Sequence, residues 1–141
     1  MNFSQPNVYA STSDAIAMYL NINNDEGIAA CEKYFKLYAK ECKQFFPSKL
    51  IIRLLRLIMT KNDVKFGNTF WLQEDGTAMG TPCACNYVTI AFAHYERTCI
   101  LPRFKDNLLL YVIYIDDILL IWKDYLHSPI AFNHFKLSLD E

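Results

Sequence analysis

Apolar positions along the chain change their period several times, and each change predicts an element. Ile28, Cys31, Phe35, Tyr38, Cys42 and Phe45 recur at three and four, which predicts an amphipathic helix over 24–46 that Pro47 stops. A second helix is expected from Ser48 to about Thr60, with Leu50, Ile51, Leu54, Leu55 and Ile58 inward and Arg53 and Arg56 outward. Over 64–73 the period drops towards two around Gly67-Asn68, the pattern of a short hairpin. The polar loop from Gln73 to Thr81 then opens a third helix. Thr81 is its expected N-cap, Pro82 its first residue, and Cys85, Val88, Thr89, Phe92 and Cys99 its inner face. Leu108–Ile115 and Ile118–Trp122 read as two buried strands joined at Asp116-Asp117, and the tail from Ser128 to Glu141 as the start of another helix. Strands mixed with helices predict an α+β fold. No repeat, low-complexity run or linker divides the chain, so 1–141 reads as a single domain.

Composition narrows the function classes. The chain has 141 residues, 52% hydrophobic and 15% aromatic, enough apolar content for a globular core. A net charge of −1 provides no global attraction to nucleic acid, so any such contact is local. Five cysteines without paired CxxC spacing read as reduced, buried thiols in an intracellular protein. A zinc site from Cys83, Cys85, His94 and Cys99 is disfavoured, because a C-x-C within a helix points its thiols roughly 200° apart. Residues 1–10 carry no secretory signal, so the protein is not expected to be secreted. The longest apolar stretch, 107–122, is interrupted by Asp116 and Asp117 and is therefore no membrane span.

Three segments are candidates for chemistry. Asp116-Asp117 sits between two apolar runs. Aspartates favour turns, but paired carboxylates at a sheet rim also repel unless a cation lies between them, and both readings stand. Asp14 precedes the apolar stretch Ala15–Ile22, which reads either as a strand beside the hairpin or as a helix capped by Asp14. Gln73–Pro82 is a loop with two glycines running into a helix; either Gly76 and Gly80 allow a ligand close to the backbone, or the segment is an ordinary helix-entry loop.

In this order the segments resemble the palm motifs of reverse transcriptases. Tyr114-Ile115-Asp116-Asp117 matches the Tyr-x-Asp-Asp hairpin. Gln73 to Pro82 looks like the Q-x-x-G-x-x-M-G-S/T-P loop of retroelement enzymes, especially those of Penelope-like elements. Asp14, followed by Tyr19, Asn21 and Ile22, looks like their D-x-x-x-L/M-Y-x-N-I segment. The helix after Pro82 departs from the usual pattern at Cys85 and Val88-Thr89, and Ile113 stands where many relatives carry a basic residue.

The resemblance implies an RNA-directed DNA polymerase, nuclear or cytoplasmic, adding dNTPs to a DNA primer on an RNA template. It implies a palm with a small antiparallel sheet backed by helices in the ferredoxin-like split βαβ style. Asp14, Asp116 and Asp117 would be catalytic and hold two Mg2+ ions, or Mn2+. Ala15, Tyr19, Gln73, Gly76, Met79 and Gly80 would contact the nucleotide, with Tyr19 packing under the sugar and excluding a 2′-hydroxyl; a smaller or polar residue there would have favoured ribonucleotides. Basic fingers would lie upstream of Asp14 and a thumb beyond Glu141, so the chain reads as a palm fragment truncated at both ends, inactive alone. The alternative is a non-catalytic remnant that binds nucleic acid or protein.

Overall fold

The computed structural model describes residues 7–41, 47–124 and 132–135. The chain is α+β and divides into two compact units, one formed by Met1–Ile16 with Tyr95–Glu141, the other by Ala17–His94.

The first unit is built on a three-stranded antiparallel sheet in the order β1-β5-β4. β1 is Asn7–Asp14, β4 is Leu108–Tyr114 and β5 is Asp117–Asp124. β5 occupies the centre, and its alternation is read directly in its burial: Ile118, Leu120 and Trp122 are inside while Asp117 and Leu119 are exposed. An aromatic cluster covers the inner face. The Trp122 ring lies 5.9 Å from Phe104, 5.4 Å from Phe135 and 5.6 Å from Phe132, and Phe104 meets Phe135 edge-on at 5.2 Å. A π-helical turn over Glu96–Ile100 and the short α5, Leu101–Phe104, precede β4. Pro102 has no N–H for the Thr98 carbonyl, so the helical ladder loses a rung where the wider turn occurs.

The second unit carries α1 (Met18–Asn21), α2 (Asn24–Glu41), α3 (Ser48–Thr60), the hairpin β2 (Asp63–Phe66) with β3 (Thr69–Leu72), and α4 (Ala84–Tyr95) up to His94. Asn23 caps α2: its Oδ1 accepts from the amides of Asp25 at 3.0 Å and Glu26 at 3.2 Å. Ile28 and Cys31 of α2, Leu55 and Met59 of α3, and Tyr87 and Val88 of α4 are buried. Asn24 ties three of these elements together, donating from Nδ2 to the Met59 carbonyl and accepting the Tyr87 hydroxyl at its own carbonyl, each at 3.3 Å. Burial raises the Tyr87 phenol well above its ordinary range, with the nearby Cys31 thiol adding to the effect.

Several expectations are corrected. The strand at Asp14 runs upstream of it, and Ala15–Ile22 holds a turn and the single helical turn α1, whose N-cap is Ala17 rather than Asp14. β4 is an edge strand, with Leu109, Leu110, Val112 and Tyr114 exposed. α3 has the expected ends, but its buried stripe is Leu55 and Met59; Leu50, Leu54 and Ile58 face outward. α4 starts at Ala84, because residues 81–83 form a tight turn in which Ala84 donates to the Thr81 carbonyl. Its inner face is Ala84, Tyr87, Val88 and Ala91, while Cys85 and Thr89 are exposed. The helix is apolar nearly all round, so a periodicity count had little to distinguish one face from another; the hydroxyl that Asn24 accepts sets the phase. Tyr38 is exposed on α2. Cys31 is buried, with its thiol pushed up to about 11 by desolvation and by the neighbouring Cys83, but Cys85 and Cys99 are exposed. Cys42, the helical residues expected over 42–46 and most of the tail lie outside the described residues, although 132–135 are helical. Among the described residues no helix is long and apolar enough to cross a membrane.

Candidate functional site

The carboxylates gather at one end of the three-stranded sheet. Asp14 is the last residue of β1 and Asp117 the first of β5, and the register pairs them directly. Tyr114, the last residue of β4, pairs with Asp117 from the other side. Directly opposed residues share a face, with Cβ atoms about 5 Å apart. Asp14, Asp117 and Tyr114 thus form one row on the exposed face, with the aromatic cluster behind Ile118 on the opposite one. All three aspartates are exposed, and Tyr114 is 74% exposed.

Between Tyr114 and Asp117 the chain turns in two residues, Ile115 and Asp116. The strands were expected to join at Asp116-Asp117; the turn lies one residue earlier, and this places Asp117 inside the ladder opposite Asp14. Two-residue hairpin turns favour Asn-Gly or Asp-Gly, because the central positions need positive φ. Here Ile115 takes φ 57. A β-branched residue in the left-handed region costs roughly 1–2 kcal/mol, so the turn is strained. The Asp116 carbonyl accepts the Ala15 N–H at 2.9 Å, which ties the turn to the end of β1, and Ala15 itself is buried.

The second unit holds the other candidates. The amide of Thr77 donates to the Tyr19 carbonyl at 2.6 Å, and Gly76, at φ 79, lies against the backbone of Tyr19 and Leu20. Tyr19 is half-buried. Gln73 turns its side chain back on its own loop, Nε2 donating to the Asp75 carbonyl at 2.9 Å. Met79 is exposed, and Gly80, at φ 91, has open space around it. The expectation that both glycines admit a ligand meets a different geometry at Gly76, where the close approach is to the protein's own chain. Gly76 and Thr77 are both buried, and the Thr77 hydroxyl has no partner among the described residues. Thr77 had no role in the sequence reading, and nothing local marked it. Tyr114 was part of the Tyr-x-Asp-Asp match, and the strand register sets it beside Asp117.

Three exposed carboxylates are hard oxygen donors, the set that suits a divalent cation such as magnesium. Among the described residues no three His, Cys, Asp or Glu side chains converge on one point. The aspartates are not packed, so their χ1 and χ2 rotations are open. Compared with protein-family models, curated proteins and solved structures, the chain matches none of them.

Proposed function

We propose that this chain carries the carboxylate centre of a reverse-transcriptase palm and serves RNA-templated DNA synthesis, with Asp14 and Asp116 as the metal-holding pair and Asp117 as an accessory carboxylate. What supports this reading is the register that sets Asp14 opposite Asp117, next to Asp116 on a strained turn. Strain that a fold tolerates at an exposed turn of otherwise ordinary sequence is a mark of functional positions. The motif resemblance supplies both the metal and the reaction; the strand register supplies the opposed carboxylates.

Magnesium, when bound, would supply the positive charge that phosphoryl transfer needs at the primer oxygen and the leaving pyrophosphate. The chain's own part is to hold carboxylate oxygens on two paired strands, so that the hydrogen-bonded ladder fixes their spacing. Tyr19 would lie beneath the sugar and exclude a 2′-hydroxyl by its rigid ring, making dNTPs the substrates and an RNA template with a DNA primer the partners.

Titration calorimetry with Mg2+ and Mn2+ tests the centre, comparing the wild type with Asp14→Asn and Asp116→Asn. Saturable binding should weaken by about tenfold or more in each variant, the loss of one charged ligand being worth at least 1.4 kcal/mol. Binding that survives both substitutions rules out these residues as the site. A second reading, a binding module without catalysis, is favoured by the exposed aromatic hairpin β2–β3; binding of a single-stranded RNA oligonucleotide that Asp14→Asn leaves unchanged and Phe66→Lys with Phe70→Lys abolishes would point to it.

A further inference from the structure

We infer that the Gly76-Thr77 step is a positioning element for Tyr19, holding in place the ring that separates deoxyribose from ribose; the inference rests on the reading of Tyr19 given above. α1 is a single turn of four residues that opens from Ala17 in the left-handed conformation, φ 51. Such a turn has no stability of its own, and its last carbonyls lack helical partners. The Thr77 N–H provides one, at 2.6 Å from the Tyr19 oxygen. Gly76 provides the room. A Cβ there would meet the Leu20 carbonyl at 2.8 Å, the Leu20 Cα at 3.0 Å and the Tyr19 carbonyl at 3.1 Å, all backbone atoms that cannot swing aside.

The loop holds this position at a cost, because the Thr77 side chain is fully buried and its hydroxyl is unpartnered among the described residues. Gly80 makes the contrast: its φ of 91 is as unusual as that of Gly76, yet nothing lies within 4 Å of the Cβ it lacks. Of the two loop glycines, only Gly76 is shaped to the backbone that carries Tyr19. Steric exclusion of one hydroxyl depends on where the ring stands, and displacement by about 1 Å is enough to lose a positioned effect.

The experiment uses the full chain with Gly76→Asn and, as the control, Gly67→Asn, whose glycine also has a positive φ, has nothing within 4 Å of the Cβ it lacks and lies outside the nucleotide-contacting set. Asparagine tolerates positive φ, so the two variants differ in the contact with Leu20 and Tyr19 and not in backbone strain. The readout is the ratio of affinities for dCTP and CTP in Mg2+, with thermal melting in parallel. The wild type and Gly67→Asn should prefer dCTP. Gly76→Asn should reduce that preference by about tenfold, and adding Tyr19→Ala to it should reduce it no further, since coupled residues are not additive. A wild type that binds neither nucleotide, or both alike, overturns the reading of Tyr19 and this inference with it. A preference that survives in Gly76→Asn overturns this inference alone. If Gly76→Asn melts without cooperativity, amide exchange in the wild type decides: dCTP should slow the Thr77 amide by about fivefold and CTP at equal occupancy should not, whereas equal slowing overturns the inference.

Discussion

Glu96 is the clearest case of a single side chain governed by its surroundings. It is buried in the π-helical turn and accepts a short hydrogen bond from the Tyr111 hydroxyl. Burial raises its carboxyl above the usual range, and the Tyr111 hydrogen bond and the Arg97 charge oppose that without reversing it. A carboxyl with a folded-state pKa above its unfolded one binds the proton more tightly when folded. The stability linked to it is therefore complete below the unfolded pKa and is lost as pH rises through the folded pKa. Glu96→Gln keeps an acceptor for Tyr111 and removes the charge. Melting temperatures from about pH 4 to pH 8 should fall in the wild type relative to this variant, with the two converging at the acid end; parallel curves would show that Glu96 does not titrate in this window. Burial, with the same hydroxyl pairing adding to it, raises the Tyr111 phenol far above its ordinary value.

Among the elements, the β4–β5 hairpin carries the largest conflict between local preference and final geometry. Ile115 is a poor residue for φ 57, and Asp116 follows it where glycine is usual. Ile115→Gly removes a left-handed penalty of roughly 1–2 kcal/mol and adds about 0.5–1 kcal/mol of backbone entropy. Urea unfolding should therefore show an unchanged or slightly more stable protein, by about 1.5 kcal/mol at most. A loss of stability would mean that the isoleucine side chain is worth more than its strain. Metal affinity should fall in the same variant, because a looser turn no longer holds Asp116 in one place. The β2–β3 hairpin is the opposite case: Gly67-Asn68 is an ordinary turn, Gly67 takes φ 60, and the pairing runs Asp63 to Leu72 through Phe66 to Thr69 as the alternation predicts.

At the scale of the whole molecule, the described residues expose a large amount of apolar surface. All eight residues of β2 and β3 are exposed, with Phe66 at 79%, Phe70 at 70% and Trp71 at 64%, and the outward face of α3 adds Leu50, Leu54 and Leu57. Large exposed apolar patches promote association. Sedimentation velocity over a range of concentrations should show self-association that Phe66→Lys with Phe70→Lys reduces. The melting temperature should barely move, because both rings are largely exposed. Monodisperse wild-type protein at all concentrations would exclude the hairpin as a sticky surface.

How much of this was legible in the sequence depends on the range of the interaction responsible. Local signals served well for the hairpin at Gly67, the ends of α3 and the β4–β5 pair, since turn residues, Pro47 and runs of β-branched residues act within a few positions of themselves. They failed where partners were distant. β1 is rich in Ser and Thr and becomes a strand by pairing with β5, more than a hundred residues away. Which faces of α3 and α4 turn inward followed from Asn24, Met59 and Tyr87 meeting, not from period.

By itself, then, the sequence determined the α+β class, most of the helices, both hairpins and the candidacy of Asp14, Asp116 and Asp117. The tertiary structure alone decided that Asp14 stands opposite Asp117, that the turn falls on Ile115, and that Gly76 fits against Tyr19 and Leu20. Register and close backbone contact are set by which segments pair in three dimensions, and a one-residue shift in either is invisible to any pattern read along a single strand.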